Sequence, residues 1–451
     1  MKRGSAAGWA FVTVLALLAI GAGYWARKQN AHPATTTSPE ATAPTASAAE
    51  EAHPSFLYGR ITTVDGVTYE GRLRWGRGEE AFWGDYFNGA KKENPWAALV
   101  PPERRPKERR PIAIFGLEIA HRERPVDLTR LFMARFGDIA RIEASGRDVR
   151  VTLKSGTGFY LDRFSASDFD DGVRVWDGAR GVADLDSLRI RAIELLPAPR
   201  SGAAVGRLHG TVRTRQGEEF SGFVQWDREQ CVGSDQLTGH TAGGERSVRF
   251  EAMRSIARRS DDSSLVTLLD GREVVLSGTR AVGQGNRGVY VDDLRYGRVL
   301  VSWGGFERVE FTPDGSGPAY GDFPPGGPLT GTITTRDGRH LTGRLVYDLD
   351  ESEFTETLDA PSRGVDYTIP FGLIASIVRS GAEERGAQCA RVTLRSGQEL
   401  QLDCAGDLGQ GNAGMLVYVA DGQRPEYVSW TDVVQVALNR PPAMYPPLDR
   451  R

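Results

Sequence analysis

The residues of this chain that could do chemistry gather in a few short stretches. The densest is RGEEAFWGDYFNGAKKENPWAALVPPERRPKERRP, residues 77 to 111, where Phe82, Trp83, Tyr86, Phe87 and Trp96 precede Arg104, Arg105, Lys107, Arg109 and Arg110. Exposed rings at this density stack on sugars or anchor a protein partner, and a basic run meets anionic headgroups. Buried, the same rings would only close one end of a domain, with the charges solvated. These residues are the expected partner contact. Removing 77 to 111 is expected to leave the fold intact and abolish partner capture.

Other stretches point less clearly to chemistry. GQGNRG at Gly283 to Gly288 and GQGNAG at Gly409 to Gly414 satisfy a glycine-rich phosphate pattern. A dinucleotide site needs that loop to leave a strand and open a helix. Here both run into VYV or LVYV, so tight turns before strands are expected, and no cofactor. The acidic clusters Asp348, Asp350, Glu351, Glu353 and Asp227, Glu229 lack the alternating ligands and central glycine of a calcium loop, and read as solvated turns. His121, His209, His240 and His340 stand at no metal-ligand spacing, so no metal site is expected. No Gly-x-Ser-x-Gly elbow occurs, and the chain reads as a non-enzyme; a cleft lined with close His, Ser or acidic side chains would favour an enzyme with its site between units.

The elements that must position these residues are strands. Glycine is abundant, 54 of 451 residues, with short apolar runs between turns, which indicates an all-β chain. Basic and acidic residues number 56 and 59, a net charge of -3, so no global field attracts nucleic acid and none is expected as partner.

The runs repeat. VTLKSGTGFYL at 151 to 161 returns as VTLLDGREVVL at 266 to 276 and VTLRSGQELQL at 392 to 402. Upstream of each stands a second pattern, from Gly59, Gly210 and Gly331, and downstream a third, from Gly172, Gly288 and Gly414. Alternation of period two marks half-buried strands. A three-residue loop ending in a glycine of positive φ pairs Val151 with Phe159, Val266 with Val274 and Val392 with Leu400; a two-residue loop would oppose Val392 to Gln401. The same rule pairs Ile61 with Tyr69, Val212 with Phe220 and Ile333 with Leu341. In that register Cys389 and Cys404 point to opposite faces, so no disulfide is expected. Cys231 is alone in its unit.

Asp337-Gly338 followed by Gly343 and Leu345 resembles the first motif of Sm-like small barrels. Asp65-Gly66 with Gly71 and Leu73, and Gln216-Gly217 with Gly222 and Val224, hold the same places. The resemblance covers about fifteen residues per unit and implies a strongly bent SH3-like or Sm-like barrel, a glycine after the hairpin letting the strand bend. Leu349, Asp350 and Glu353 fall where that family contacts RNA, without its Asn, so only the shape carries over.

Gly4 to Ala26 holds no charge and is long enough to cross a membrane as a helix, with Trp9, Tyr24 and Trp25 at its ends. An uncleaved anchor is expected, with secretion after signal cleavage as the alternative. Lys2 and Arg3 weakly place the short N-terminus in the cytoplasm and the body outside the inner membrane, in the periplasm. Residues 29 to 55, rich in Pro, Thr, Ser and Ala, read as a flexible tether. The expected organisation is an anchor or signal at 1 to 28, the tether at 29 to 55, and three tandem small β-barrel, SH3-like units at 56 to 197, 207 to 312 and 329 to 440. The expected role is a non-catalytic binding or scaffolding protein of the envelope, with an envelope protein or glycan as partner. The rival is a cell-wall glycan binder using Trp83, Tyr86 and Trp96.

Overall fold

The computed structural model describes residues 54–76, 78–104, 107–114, 117–125, 130–164, 166–199, 206–312, 317–380, 388–419 and 424–441. Gly4 to Ala26 and most of the tether lie outside them. Among the described residues no helix is long and apolar enough to cross a membrane. The protein is all-β, 55% strand with no helix of seven residues or more, folded into several antiparallel sheets.

The hairpins obey the expected register. Ile61 faces Tyr69, Val212 faces Phe220 and Ile333 faces Leu341. Val151 faces Phe159, Val266 faces Val274 and Val392 faces Leu400. Gly156, Gly271 and Gly397 close their turns at φ of 88°, 85° and 88°, where a Cβ would clash with the backbone. Alternation then buries one face: Val151, Val266 and Val392 are each fully buried.

Pairing beyond the hairpins follows one order in three stretches of chain. In the first, Tyr58–Thr63 is flanked by Thr68–Trp75 and Ile190–Leu195. Val173–Asp177 and Gly181–Leu185 extend the sheet beyond the former, and Ile139–Ser145, Asp148–Leu153 and Gly158–Asp162 beyond the latter. His209–Thr214 and Thr330–Thr335 occupy the corresponding places in the second and third stretches. The second sheet grows to twelve strands because Gln236–Thr241 and Gly244–Arg249 join one edge, and Gly297–Val301 at the other pairs with Val365–Pro370, and through it Thr357–Ser362, from the third stretch. One hydrophobic core therefore runs through both stretches, with Phe220, Tyr296 and Tyr367 meeting edge to face.

A pair of facing glycines bends each opening hairpin: Gly59 with Gly71, Gly210 with Gly222, Gly331 with Gly343. A Cβ on Gly71, Gly222 or Gly343 would run into the main-chain oxygen of Trp176, Asp292 or Tyr418. Only a residue without a side chain lets the next strand cross this closely. The GQGN stretches are turns leading into Val289–Asp293 and Met415–Val419. Asn286 and Asn412 brace them, each accepting from the following glycine amide, Gly288 or Gly414.

The segment between the second and third stretches lies packed against the first. Tyr320 packs at a tilt against Phe82, ring centres 4.9 Å apart, and donates its hydroxyl to Ile139 O at 2.8 Å. Phe323 lies beside Trp83, with a centroid distance of 6.2 Å.

The cysteine expectation is overturned: Cys389 and Cys404 form a disulfide, their Cα atoms 5.2 Å apart. The turn register is the expected one, but the ladder slips at Cys389, since Gln388 pairs with Asp403 and Ala390 with Leu402. That bulge inserts one residue and turns both sulfurs to the same side.

Candidate functional site

Four of the ten expected contact residues are core. Phe82, Trp83, Tyr86 and Phe87 are at most 1% exposed. Phe87 meets Trp75 edge to face at 5.5 Å, and the Arg135 guanidinium lies 4.7 Å from the centre of the Trp83 ring. Trp83 Nε1 donates to Asp292 O in the second stretch, at 3.3 Å. These rings have no surface to offer a partner, because they join the first stretch to its neighbours. A chain lacking 77 to 111 would lose Phe82, Trp83, Tyr86 and Phe87 from its core, which argues against the expectation that it folds intact.

Trp96 and Arg104 lie differently. Trp96 is half-buried against the third stretch, edge to face with Tyr418 at 6.3 Å. Arg104 is exposed, its guanidinium 5.5 Å from the Tyr427 ring centre and 3.9 Å from Asp432. Arg105 lies outside the described residues. Lys107, Arg109 and Arg110 sit on Lys107–Ile114, which forms a hairpin with Leu117–Pro125; the positions of their side chains lie outside the description.

The other two stretches bound what the first adds to the common order. Tyr86–Ala90 pairs with Leu131–Arg135, as Gln236–Thr241 pairs with Gly244–Arg249 and Thr357–Ser362 with Val365–Pro370. What the first stretch adds is therefore the excursion from Lys91 to Arg130, which crosses to the third stretch. Lys91 Nζ donates to Asp350 Oδ1 at 2.7 Å and Glu356 Oε1 at 2.9 Å. Asn94 Nδ2 donates to Leu349 O at 2.9 Å, and Arg130 Nη2 to Asp348 Oδ1 at 3.2 Å.

Two cavities flank this crossing. One, of about 480 Å³, is lined by Trp96, Phe159 and Tyr160 together with Lys92, Asn94 and Asp148. Tyr160 is 57% exposed, with the Arg150 guanidinium 5.8 Å from its ring centre. The other, of about 570 Å³, is lined by Lys91, Arg130, Phe132 and Met133 on one side and by Asp348, Asp350, Glu351, Glu356, Asp359 and Asp407 on the other.

Four of the six acidic residues are thus not solvated, and Glu229 and Glu351 are half-buried. Asp348, Asp350 and Glu353 are 5 to 7% exposed and Asp227 is fully buried. Asp227 and Asp348 take φ of 53° and 50°, in tight left-handed turns that aim each carboxylate at a GQGN loop. Asp227 accepts from Arg287 N, and Asp348 from Ala413 N. Burial pushes Asp348 up to about 7 even against Arg130, and Asp359 up to about 6. Glu351 and Asp407 are raised well above the usual carboxylate range, by burial first and then by neighbouring carboxylates. Burial opposes the Lys91 ammonium, but Glu356 and Asp350 overcome it and keep it charged.

No protein family, curated protein or solved structure matches the chain. The site rests on its own geometry. Among the described residues no group of His, Cys, Asp and Glu is placed to hold a metal ion. Nothing in the sequence marks Tyr160, Lys91, Arg130, Asp359 or Asp407 as site residues, and Phe159 reads there only as the strand partner of Val151. One signal was available: the aligned GQGNRG and GQGNAG stretches differ by an arginine, Arg287 against Ala413, beside otherwise matching residues.

Proposed function

We propose that the protein is a membrane-tethered, extracytoplasmic, non-catalytic binding or scaffolding element of the cell envelope, built from three tandem small β-barrel, SH3-like units. The single strand order recurring in three stretches supports the units. The Cys389–Cys404 disulfide supports an oxidising compartment, where such bonds persist. The observation that carries the binding role is the aromatic cleft beside the crossing, lined by Trp96, Phe159 and the 57% exposed Tyr160 together with Lys92 and Asp148. A rigid aromatic face in a concavity with a few polar groups is the usual make-up of a binding site.

The test is capture from envelope extract by the full-length chain, compared with Tyr160→Ala and Trp96→Ala. Loss of capture with unchanged melting supports the role; capture unaffected by both changes would sink it.

The same cleft favours a glycan as the partner class, with Tyr160 and Trp96 as stacking faces in place of the buried Trp83 and Tyr86. Binding to purified wall glycan separates this from protein capture. The enzymatic alternative gains acidic side chains near the cleft but not a free acid and base pair: Asp350 is held by Lys91, and Asp148 by Lys92 at 2.7 Å.

A further inference from the structure

The second cavity carries a charge imbalance that comparison of the second and third stretches explains. In the second, Arg280 and Arg287 both reach Asp227 and Glu229, at 2.8 to 3.5 Å. Aligned on the GQGN loops, Arg280 and Arg287 become Gly406 and Ala413, and Ala281 becomes Asp407. Aligned on the left-handed turns, Gln230 becomes Glu351. Each change makes the third copy of this corner more negative.

The first stretch returns only part of the missing charge. Lys91 answers Asp350 and Glu356, and Arg130 answers Asp348. Among the described residues no cation lies within ion-pair distance of Glu351, Asp359 or Asp407. Asp407 accepts from Asp359 N at 2.7 Å, and the Asp359 carboxylate is hydrogen-bonded by Thr368 and Thr357, whereas Glu351 Oε2 meets no donor. A buried carboxylate oxygen without a donor is costly, and such atoms call for a missing partner. The carboxylates are spread around about 570 Å³ and are not gathered at one point, which disfavours a single metal ion and fits several N–H donors spaced along a ligand. Phe132 and Met133 line the same cavity opposite them, an apolar wall suited to methylene spacers.

We propose that this cavity binds a small organic oligoamine, its ammonium groups taken by Glu351, Asp359 and Asp407 and its methylenes lying on Phe132 and Met133. Binding would draw protons off the raised carboxylates, so it is coupled to proton release. The two cavities share Lys91 and Asp350, but Glu351, Asp359 and Asp407 line only this one.

The probe is spermidine, titrated calorimetrically into the full-length protein near pH 7 in buffers of different ionisation enthalpy. Saturable binding with a buffer-dependent heat is expected. Asp407→Ala and Glu351→Gln, which restore residue types the second stretch carries natively, should each weaken it at least tenfold while the melting temperature holds or rises. Absence of saturable heat at millimolar spermidine, equal affinity in both variants, or displacement of spermidine by equimolar magnesium or calcium would each overturn the proposal. Tyr160→Ala should leave spermidine affinity unchanged; a loss there would place the amine in the aromatic cleft and overturn it as well.

Discussion

Arg207 grips Asp85 with both ends of its guanidinium, Nη1 2.6 Å from Oδ2 and Nη2 3.1 Å from Oδ1, and the two side chains are 1% and 0% exposed. Arg298 meets the same carboxylate at 3.0 Å and Asp292 at 3.1 Å, so the first stretch is tied to the second through a buried network. Burial alone would raise the Asp85 carboxyl, but the two guanidiniums hold it below its ordinary range. Replacing Arg207 with Ala leaves buried charge uncompensated and should cost about 3 to 5 kcal/mol, read by urea unfolding. A cost under about 1 kcal/mol would mean the network relaxes into solvent.

Stability should fall as pH rises through neutrality. Asp348 and Asp359 have folded values of about 7 and 6 against an ordinary 3.8, so they bind more protons folded than unfolded between those limits. Their contribution is complete below the unfolded value and is lost as pH climbs through the folded ones. Asp85 has the opposite sign and weakens the protein only towards strong acid. Calorimetric melting at constant ionic strength should therefore give a higher midpoint at pH 5 than at pH 8. Asp348→Asn should flatten that difference; an unchanged slope would show that these groups ionise freely.

Truncating Trp83 to Ala should cost about 3 to 5 kcal/mol, as for other buried large aromatics. Tyr160→Ala, at the surface, should stay within about 0.5 kcal/mol. Chemical unfolding of the two side by side checks the reassignment of the aromatic segment from surface to core.

Mass mapping without reductant should link Cys389 to Cys404 and leave Cys231 as a free thiol, which burial raises well above its ordinary pKa and shields. The bridge spans a separation of 15 residues, and its loss through Cys404→Ala should cost roughly 3 kcal/mol by the loop-closure account. Rapid labelling of Cys231 in the native protein would contradict its burial.

Gly397→Ala places a Cβ at φ 88° and should cost about 1 to 3 kcal/mol. Gly343→Ala should cost more, since that Cβ also meets the Tyr418 carbonyl. Equal costs would mean the crossing strand yields.

The sequence by itself determined the strands, their turns and their register. Those depend on a period of two and on a glycine at each loop end, and both act within a dozen residues of the chain. Val392 opposite Leu400 and Ile333 opposite Leu341 were legible for that reason. Tertiary structure alone decided which faces are covered. Phe82 and Trp83 are core because Tyr320 and Phe323, more than two hundred residues away, lie on them. Lys91 and Arg130 balance carboxylates of the third stretch across a similar gap, and a single bulge at Cys389 reverses the cysteine geometry that the turn alone implies. Local pattern fixes dihedral choice, whereas burial and charge compensation depend on what distant chain brings alongside, and no spacing rule records that.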